Sequence, residues 1–390
     1  MKACARRAIL IGLLSLWMWP LPAPAAGPGS GSFAGDGGPA TEARLNNPRG
    51  IALDRAGNLY IADSSNDRIR RVDRQTGVIT TIVGSGERGF AGDSGSARTA
   101  SLHFPHGIAV DDAGNLYIAD AGNHRIRKVE AGAATIMTVA GTGRIEFYGE
   151  GGPATAAGLF APRGLALGAE GNLYVSDTQH GCIRKVDREG RIQLVAGSDP
   201  RKVEKGDAPI FLRAPVGIAL GPDGQVYWAD ATLNRVKKAD LTRTDPKTKS
   251  GWITIVAGGE EMGFSGDGGP AREAELEAPA AVAFDSQGNL YIADHNNQRI
   301  RRVDGKTGVI TTIAGNGQRE LSGDGGPAKE ASLNAPAGLA FDAEDNLYIA
   351  DAGNNRIRRV DAATGTISTV VGSGPIDEGP PAGPVKESFI

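Results

Sequence analysis

The sequence predicts an all-β fold, a six-bladed β-propeller built of four-stranded antiparallel blades. Three observations predict it. One unit recurs six times along the chain, each unit contains four short strand-like segments separated by turn residues, and no segment keeps a long helical period. Because neighbouring blades cover both faces of each sheet in such a ring, the strands need no strict alternation of apolar and polar residues.

The repeat is clearest around the segment that reads "GNLYIAD" in the first unit. The stretch "PRGIALDRAGNLYIADSSNDRIRRVD", which begins at residue 48, recurs with few changes from residues 105 and 336. The acids that close this segment are Asp63, Asp120, Asp177, Asp230, Asp294 and Asp351. Their spacings of 57, 57, 53, 64 and 57 residues indicate one fixed structural module.

The predicted elements follow the turn chemistry of each unit. In the first unit we predict strands over 50–54, 58–62, 68–72 and 78–83, with a tight turn at Gly57 and Asn58 because both residues tolerate positive φ. A short helix is predicted in "PATEARL". The blades are predicted near 48–84, 105–141, 162–197, 215–258, 279–315 and 336–374.

The two ends of the chain are predicted to lie outside the blades. Residues 1–26 have the pattern of a Sec-type signal peptide with cleavage near Ala25 or Ala26, because basic residues precede an apolar run over 8–19 that is too short to span a bilayer. We therefore expect a secreted or periplasmic protein without a membrane span. Cleavage would remove Cys4 and leave Cys182 as the one cysteine, which excludes an intramolecular disulfide. The Pro-rich tail 375–390 is expected to be loose.

The start of the propeller, 27–374, has the sequence of a connector without the strand that should precede it. The last unit ends in "VVGSG" without a connector, and 31–48 supplies the missing piece. The spacing from Asp36 to Asp63 equals that from Asp93 to Asp120. We therefore predict that 27–47 lies across the seam between blades 6 and 1 and closes the ring without a swapped strand.

These motifs resemble the NHL repeat. The resemblance rests on Pro-x-Gly, "GNLYIAD" and Asn-x-Arg-Ile, which occur in register along the predicted propeller, and it implies a six-bladed propeller. Two positions depart from the pattern: Cys182 replaces the arginine of Asn-x-Arg-Ile in blade 3, and Ala281 replaces the glycine of Pro-x-Gly in blade 5.

Polar residues that recur in every blade are interpreted as architecture, because a ring has only one channel site. Each strand-end acid is expected to bind backbone donors or the arginine of its own Asn-x-Arg-Ile segment, such as Asp63 with Arg68. The connector acids are interpreted in the same way, and one carboxylate per loop is far below the six to eight oxygens of a calcium site. The "RIRR" runs are expected on the solvated rim.

The variable middle residue of Pro-x-Gly is the predicted site, because it lies where each connector enters the innermost strand. Around the ring this position holds Arg49, His106, Arg163, Val216, Ala280 and Ala337. If these side chains converge, the channel mouth has an anion-binding side, Arg49, His106 and Arg163, and an apolar side. The alternative is that Arg49 and Arg163 extend outward and pair with connector acids.

We expect a non-enzymatic binding or interaction scaffold that holds a protein, a peptide or a small anionic ligand at the channel mouth. No catalytic residue, metal or cofactor is predicted. A monomer is expected, and the acidic net charge of −3 disfavours nucleic acid. The alternative is a channel-centred enzyme, similar to amidating lyases or lactonases, with an unrecognised metal site. Of the zinc-binding histidines that the lyase resemblance would imply, only His106 in "FPHGIAV" matches.

Blade 4 is the irregular unit. Its connector is shortened, Trp228 replaces the isoleucine of "LYIAD", and extra residues fall near 241–251. This insertion is interpreted either as drift that a loop tolerates or as a loop that docks a partner.

Overall fold

The computed structural model describes residues 33–168, 170–198, 212–242 and 252–373. The signal peptide predicted over 1–26, the tail 375–390, Asp207 of the fourth connector and most of the insertion near 241–251 lie outside these residues. The described chain forms six sheets of four sequential antiparallel strands, arranged as a ring of blades. The predicted all-β, six-bladed propeller is confirmed.

The first three blades are regular. Blade 1 contains β1 (Pro48–Leu53), β2 (Leu59–Asp63), β3 (Arg68–Val72) and β4 (Ile79–Val83). Blade 2 contains β5 (Pro105–Val110), β6 (Leu116–Asp120), β7 (Arg125–Val129) and β8 (Ile136–Ala140). Blade 3 contains β9 (Pro162–Leu167), β10 (Leu173–Asp177), β11 (Cys182–Val186) and β12 (Ile192–Ala196). The predicted strands of the first unit agree with these bounds to within two residues.

The other three blades repeat this order. Blade 4 contains β13 (Pro215–Leu220), β14 (Val226–Asp230), β15 (Arg235–Ala239) and β16 (Ile253–Ala257). Blade 5 contains β17 (Ala281–Phe284), β18 (Leu290–Asp294), β19 (Arg299–Val303) and β20 (Ile310–Ala314). Blade 6 contains β21 (Pro336–Phe341), β22 (Leu347–Asp351), β23 (Arg356–Val360) and β24 (Ile367–Val371). Among the described residues, no helix is long and apolar enough to cross a bilayer.

The short helix predicted in "PATEARL" is a three-residue 3₁₀ turn, Ala40–Glu42. A second 3₁₀ turn, Ser64–Asn66, follows β2. The hydrophobic core lies between blades. Ala62 and Ile69 of blade 1, for example, pack with Ile118 of blade 2 in one buried cluster.

The register of the strands separates two faces of the ring. Pro48 pairs with Asp63, and Val83 pairs with Ile69 at the start of β3. The ends of the connectors, the 3₁₀ turns after the strand-end acids and the Pro-x-Gly segments therefore share one face, which we call the connector face. The middle of a connector runs along the outer strand toward the β3–β4 turn, as where Pro39 pairs with Val78. The β1–β2 and β3–β4 turns of each blade lie on the opposite face, the turn face.

The glycine of Pro-x-Gly allows inner strands of neighbouring blades to approach closely. A Cβ at Gly107 would lie 2.2 Å from the carbonyl oxygen of Arg163, and one at Gly338 would lie 2.1 Å from that of Arg49. Contacts this short are excluded by sterics. In blade 5, where Ala281 replaces this glycine, the inner strand begins at Ala281 instead of at the proline. The missing glycine therefore shortens β17.

Buried arginines on the third strand fasten the connectors to the blades. Arg70 is fully buried and lies 2.8 Å from Oδ1 of Asp36 in the connector and 3.5 Å from Oδ2 of Asp63 at the end of β2. The equivalent fully buried residues are Arg127, Arg184, Arg301 and Arg358. In blade 4, Lys237 takes this place and lies 2.9 Å from Asp230.

Two predictions about these arginines are wrong. Asp63 does accept a backbone hydrogen bond, from Asn46 at 2.7 Å, but its charged partner is Arg70 and not Arg68. The Arg68 guanidinium instead donates to the carbonyl oxygens of Asn66 at 3.1 Å and Ser85 at 2.6 Å. The "RIRR" run is also not simply a solvated rim, because its second arginine is fully buried between two acids.

Residues 33–47 lie between blades 6 and 1. The carbonyl oxygens of Ala40 and Ala43 accept hydrogen bonds from the backbone N–H groups of Gly372 and Ser373, just after β24. On the other side, the N–H of Gly37 donates to the carbonyl of Ile79 in β4. Every sheet is made of four sequential strands, so the ring closes without a swapped strand.

Candidate functional site

The candidate site lies at the channel mouth on the connector face, where β1, β5 and β9 begin. Arg49, His106 and Arg163 are the second residues of these strands. Five of the six inner strands, all except β17, start with a register shift against their neighbour, as between Pro48 and Ile51. This irregularity releases the residue after the proline from regular pairing in the sheet.

Arg49 lies inside the channel. Burial and the charge of Arg163, which is two blades away, lower the pKa of Arg49 to about 10. The Arg49 charge also lowers the pKa of His295 on blade 5. Arg49 thus interacts electrostatically with Arg163 on blade 3 and with His295 on blade 5. A side chain that reaches both blades extends toward the axis of the propeller.

Arg49 and Arg163 lack the partners that buried arginines usually have. Within the described residues, neither guanidinium is within ion-pair distance of a carboxylate, and Nε of Arg49 is buried without a hydrogen-bond partner. Burial also lowers the pKa of Arg163. The alternative expectation, that both residues extend outward to connector acids, does not describe this geometry.

His106 is neutral and fixed between the two arginines. Its side chain is only 7% exposed. Burial, followed by the charges of Arg163 and Arg49, lowers the pKa of His106 well below its ordinary value, and a hydrogen bond to the backbone of Arg163 opposes this shift. The three predicted residues therefore lie close enough to interact electrostatically.

His295 is a fourth member of this group that sequence reasoning missed. Its Nδ1 donates to the carbonyl oxygen of Pro336 at 2.9 Å, across the seam between blades 5 and 6. Burial and the charge of Arg49 lower the pKa of His295 to about 4, so its imidazole is neutral near pH 7. The available signal was its position directly after the strand-end Asp294, since that end of the strand faces the channel mouth.

The remaining positions of the ring are apolar. Val216, Ala280 and Ala337 are all buried. None of the causes that shift the pKa values of Arg49, His106, Arg163 and His295 is a carboxylate. The mouth therefore has two positive charges near neutral pH, two neutral imidazoles and a narrow apolar wall. It can bind an anion.

A cavity with a volume of about 600 Å³ lies elsewhere, between blades 5 and 6 on the turn face. Two of its acids have partners: Asp285 accepts from the backbone N–H of Asn289 at 2.8 Å, and Asp361 lies 3.2 Å from Arg359. No group of three histidine, cysteine or acidic side chains among the described residues is arranged to hold a metal ion.

Fold and site together define a repeat propeller with one singular feature, a cationic channel mouth. The chain belongs to the NHL-repeat family. The Teneurin NHL domain model matches residues 25–91, 143–210, 259–322 and 316–384, and the NHL repeat model matches residues 102–129.

Curated relatives are much longer than this chain. It is 30% identical over 290 residues to Protein SUPPRESSOR OF QUENCHING 1, chloroplastic, from Arabidopsis thaliana, with 71% of this chain and 26% of the relative covered. It is 31% identical over 366 residues to Teneurin-3 from Mus musculus, with 83% and 13% covered. The chain thus spans about a quarter or less of these two relatives.

Solved structures share the fold at low sequence identity. An auxiliary nutrient binding protein from Bacteroides thetaiotaomicron superposes with a TM-score of 0.60 and 18% identity, covering 86% of this chain and 72% of that one. A likeness at this identity concerns the fold alone.

Proposed function

We propose that the protein is a binding module that holds an anionic group of a ligand or partner at its channel mouth. The observation that carries the proposal is the pair of guanidinium groups, Arg49 and Arg163, that lie in the channel without a carboxylate partner. Both residues are only partly exposed, and a bound anion supplies the partner that such partly desolvated charges lack. Arginine suits this task because its planar fork binds carboxylate and phosphate oxygens in pairs.

The surrounding residues support a binding role. The two imidazoles are neutral near pH 7 and add no charge of their own, while their ring nitrogens offer hydrogen-bonding capacity beside the guanidinium groups. The same fold serves an auxiliary nutrient binding protein, whose likeness to this chain is one of fold only. A protein, a peptide and a small anion all carry the acidic group that the mouth accepts.

Titration calorimetry of the full chain with sodium phosphate and sodium acetate tests the proposal. We expect binding of at least one anion, and Arg49→Gln and Arg163→Gln should each weaken it by about tenfold or more, because a tenfold change needs only about 1.4 kcal/mol. The matched control is Arg55→Gln. Arg55 is exposed on the turn face and pairs with Asp112 at 2.7 Å, so this variant should bind like the native chain.

Thermal unfolding without added anion provides the second readout. Arg49→Gln should not lower the melting temperature, because it removes an uncompensated charge, whereas Arg127→Gln should lower it because Asp93 and Asp120 lose their partner. Native affinity in Arg49→Gln, or no binding of either anion by the native chain, would contradict the proposal.

A further inference from the structure

We infer that the channel mouth receives the acidic side chain or terminal carboxylate of a protein partner that docks on the connector face. This inference rests on the proposed anion site and names the source of the anion. Two features of the described surface carry it: the low exposure of the apolar wall of the mouth, and the exposed apolar side chains on the connector face.

The mouth admits an anionic group more easily than a whole small molecule. His106, Val216 and Ala337 are each less than 9% exposed, so this part of the wall offers little surface to the body of a ligand, whereas Arg49 and Arg163 are partly exposed. A small-molecule site normally encloses most of its ligand in a cleft of several hundred cubic ångströms. A carboxylate at the end of a protein side chain needs only the space in front of the two guanidinium groups.

The exposed large apolar side chains belong to three connectors. They are Phe90, Ile145, Met262 and Phe264 of the described chain. Their connector segments reach the connector face because the backbone carbonyl groups of Gly89, Ile145 and Gly263 accept hydrogen bonds from side chains of the 3₁₀ turns. Met262 is 70% exposed. Protein interfaces combine such apolar contacts with a few buried polar anchors, and arginine is frequent among those anchors.

Part of this apolar surface also serves the fold. The ring of Phe90 lies 3.7 Å below the guanidinium carbon of Arg125, and that of Phe264 lies at the same distance from Arg299. One face of each ring therefore covers an arginine while the other remains open. Ile145 and Met262 have no aromatic ring that could cover an arginine and are 46% and 70% exposed, so they are the variants chosen to separate docking from folding.

The partner fits this surface by charge as well as by shape. The center of the connector face presents two unpaired guanidinium groups, and a partner loop with an aspartate, a glutamate or a terminal carboxylate at its tip is complementary to them. Apolar residues on either side of that acid would contact the connectors. An acid desolvated between two arginines forms the energetic center of the interface.

Selection from a displayed library of cyclic peptides on the full chain tests this inference. We expect enriched peptides to contain an acidic residue flanked by apolar ones. Their affinity should fall by about tenfold or more with Arg49→Gln or with replacement of that acid by its amide, and severalfold with the double variant Ile145→Ser and Met262→Ser. Arg55→Gln should leave it unchanged.

The outcomes separate the inference from the proposed function. Enriched peptides without acids, or peptides that bind Arg49→Gln as tightly as the native chain, overturn the docking inference. If no peptide is enriched while acetate or phosphate still binds, the mouth is a site for a free small anion and the inference fails alone. If neither peptide nor anion binds, both fail.

Discussion

At the scale of single residues, two histidines at the seam of blades 2 and 3 have opposite hydrogen-bonding roles. Nδ1 of His124 accepts from the N–H of Ala161 at 3.1 Å, so this nitrogen must be unprotonated. His180 faces acceptors with both nitrogens, Oδ2 of Asp177 at 2.8 Å and the carbonyl of Ile145 at 2.7 Å. Only a doubly protonated ring can donate both bonds.

The other blades show what His180 replaces. In blade 5 the amide nitrogen of Asn297 donates to Asp294 at 2.9 Å and to the carbonyl of Gly263 at 2.6 Å. Asparagine makes both bonds with one neutral NH₂ group. Blade 3 therefore makes the same pair of contacts with the two nitrogens of an imidazole.

His180→Asn should preserve the seam, because an asparagine amide makes the same pair of contacts in blade 5. Its free energy of unfolding should stay within about 1 kcal/mol of the native value, whereas His180→Ala removes both donors and should cost about 1–3 kcal/mol. Urea denaturation measures both variants. Equal losses of stability in the two variants would refute the assignment.

Comparison of the six repeats identifies some of the residues with particular roles and misses others. Arg49, His106 and Arg163 could be named in advance because the repeat places them at one variable position. The partner of Asp63 could not, since Arg68 is its cross-strand neighbour while Arg70 reaches it. Which guanidinium turns inward depends on the connector packed above the blade, and a repeat unit considered alone does not contain that information.

At the scale of elements, the inner strands depend on a residue without a side chain. Gly107 faces the carbonyl oxygen of Arg163 in the next blade. The predicted strand ends are close to the observed ones because glycine and asparagine turns mark them. The first residues, such as Pro48, were missed because their pairing with the strand-end acid spans a register shift.

Gly107→Ala should destabilise the propeller. The new Cβ would lie 2.2 Å from the Arg163 carbonyl oxygen, so the two inner strands must separate, at a cost of about 1–3 kcal/mol. Ala281→Gly is the control, because blade 5 already accommodates the methyl group and should lose little stability from its removal. Urea denaturation measures both variants, and a Gly107→Ala chain as stable as the native one would contradict the packing argument.

At the scale of the whole molecule, the ring is completed by a segment far from its partners in sequence. The N–H of Asn47 donates to Oδ1 of Asn355 at 2.7 Å, a separation of 308 residues. The spacing of the acids predicted that a connector was displaced to the start of the chain. The bonds from Gly372 and Ser373 to this segment could not be predicted, because both join backbone groups, which the sequence does not distinguish.

Deletion of residues 33–47 should destabilise the propeller strongly. It removes the acceptors of Gly372 and Ser373 and deprives the buried Arg70 of Asp36, and breaking a buried ion pair alone costs about 3–5 kcal/mol. Thermal unfolding measures the change. Deletion of 375–390, which the sequence predicts to be loose, is the control and should leave the melting temperature unchanged. An equal melting temperature for both deletions would show that the segment does not close the ring.

The uninterrupted blades also have a consequence for the order of events in folding. Each sheet is built from consecutive strands, so its contacts form within a short stretch of chain, whereas the seam between blades 6 and 1 joins residues more than 300 positions apart. Contacts between distant residues form slowly, because the loop must close before they stabilise anything. We therefore expect blades to assemble one after another along the chain and the seam to form last, which makes it the step at which an incomplete ring would accumulate.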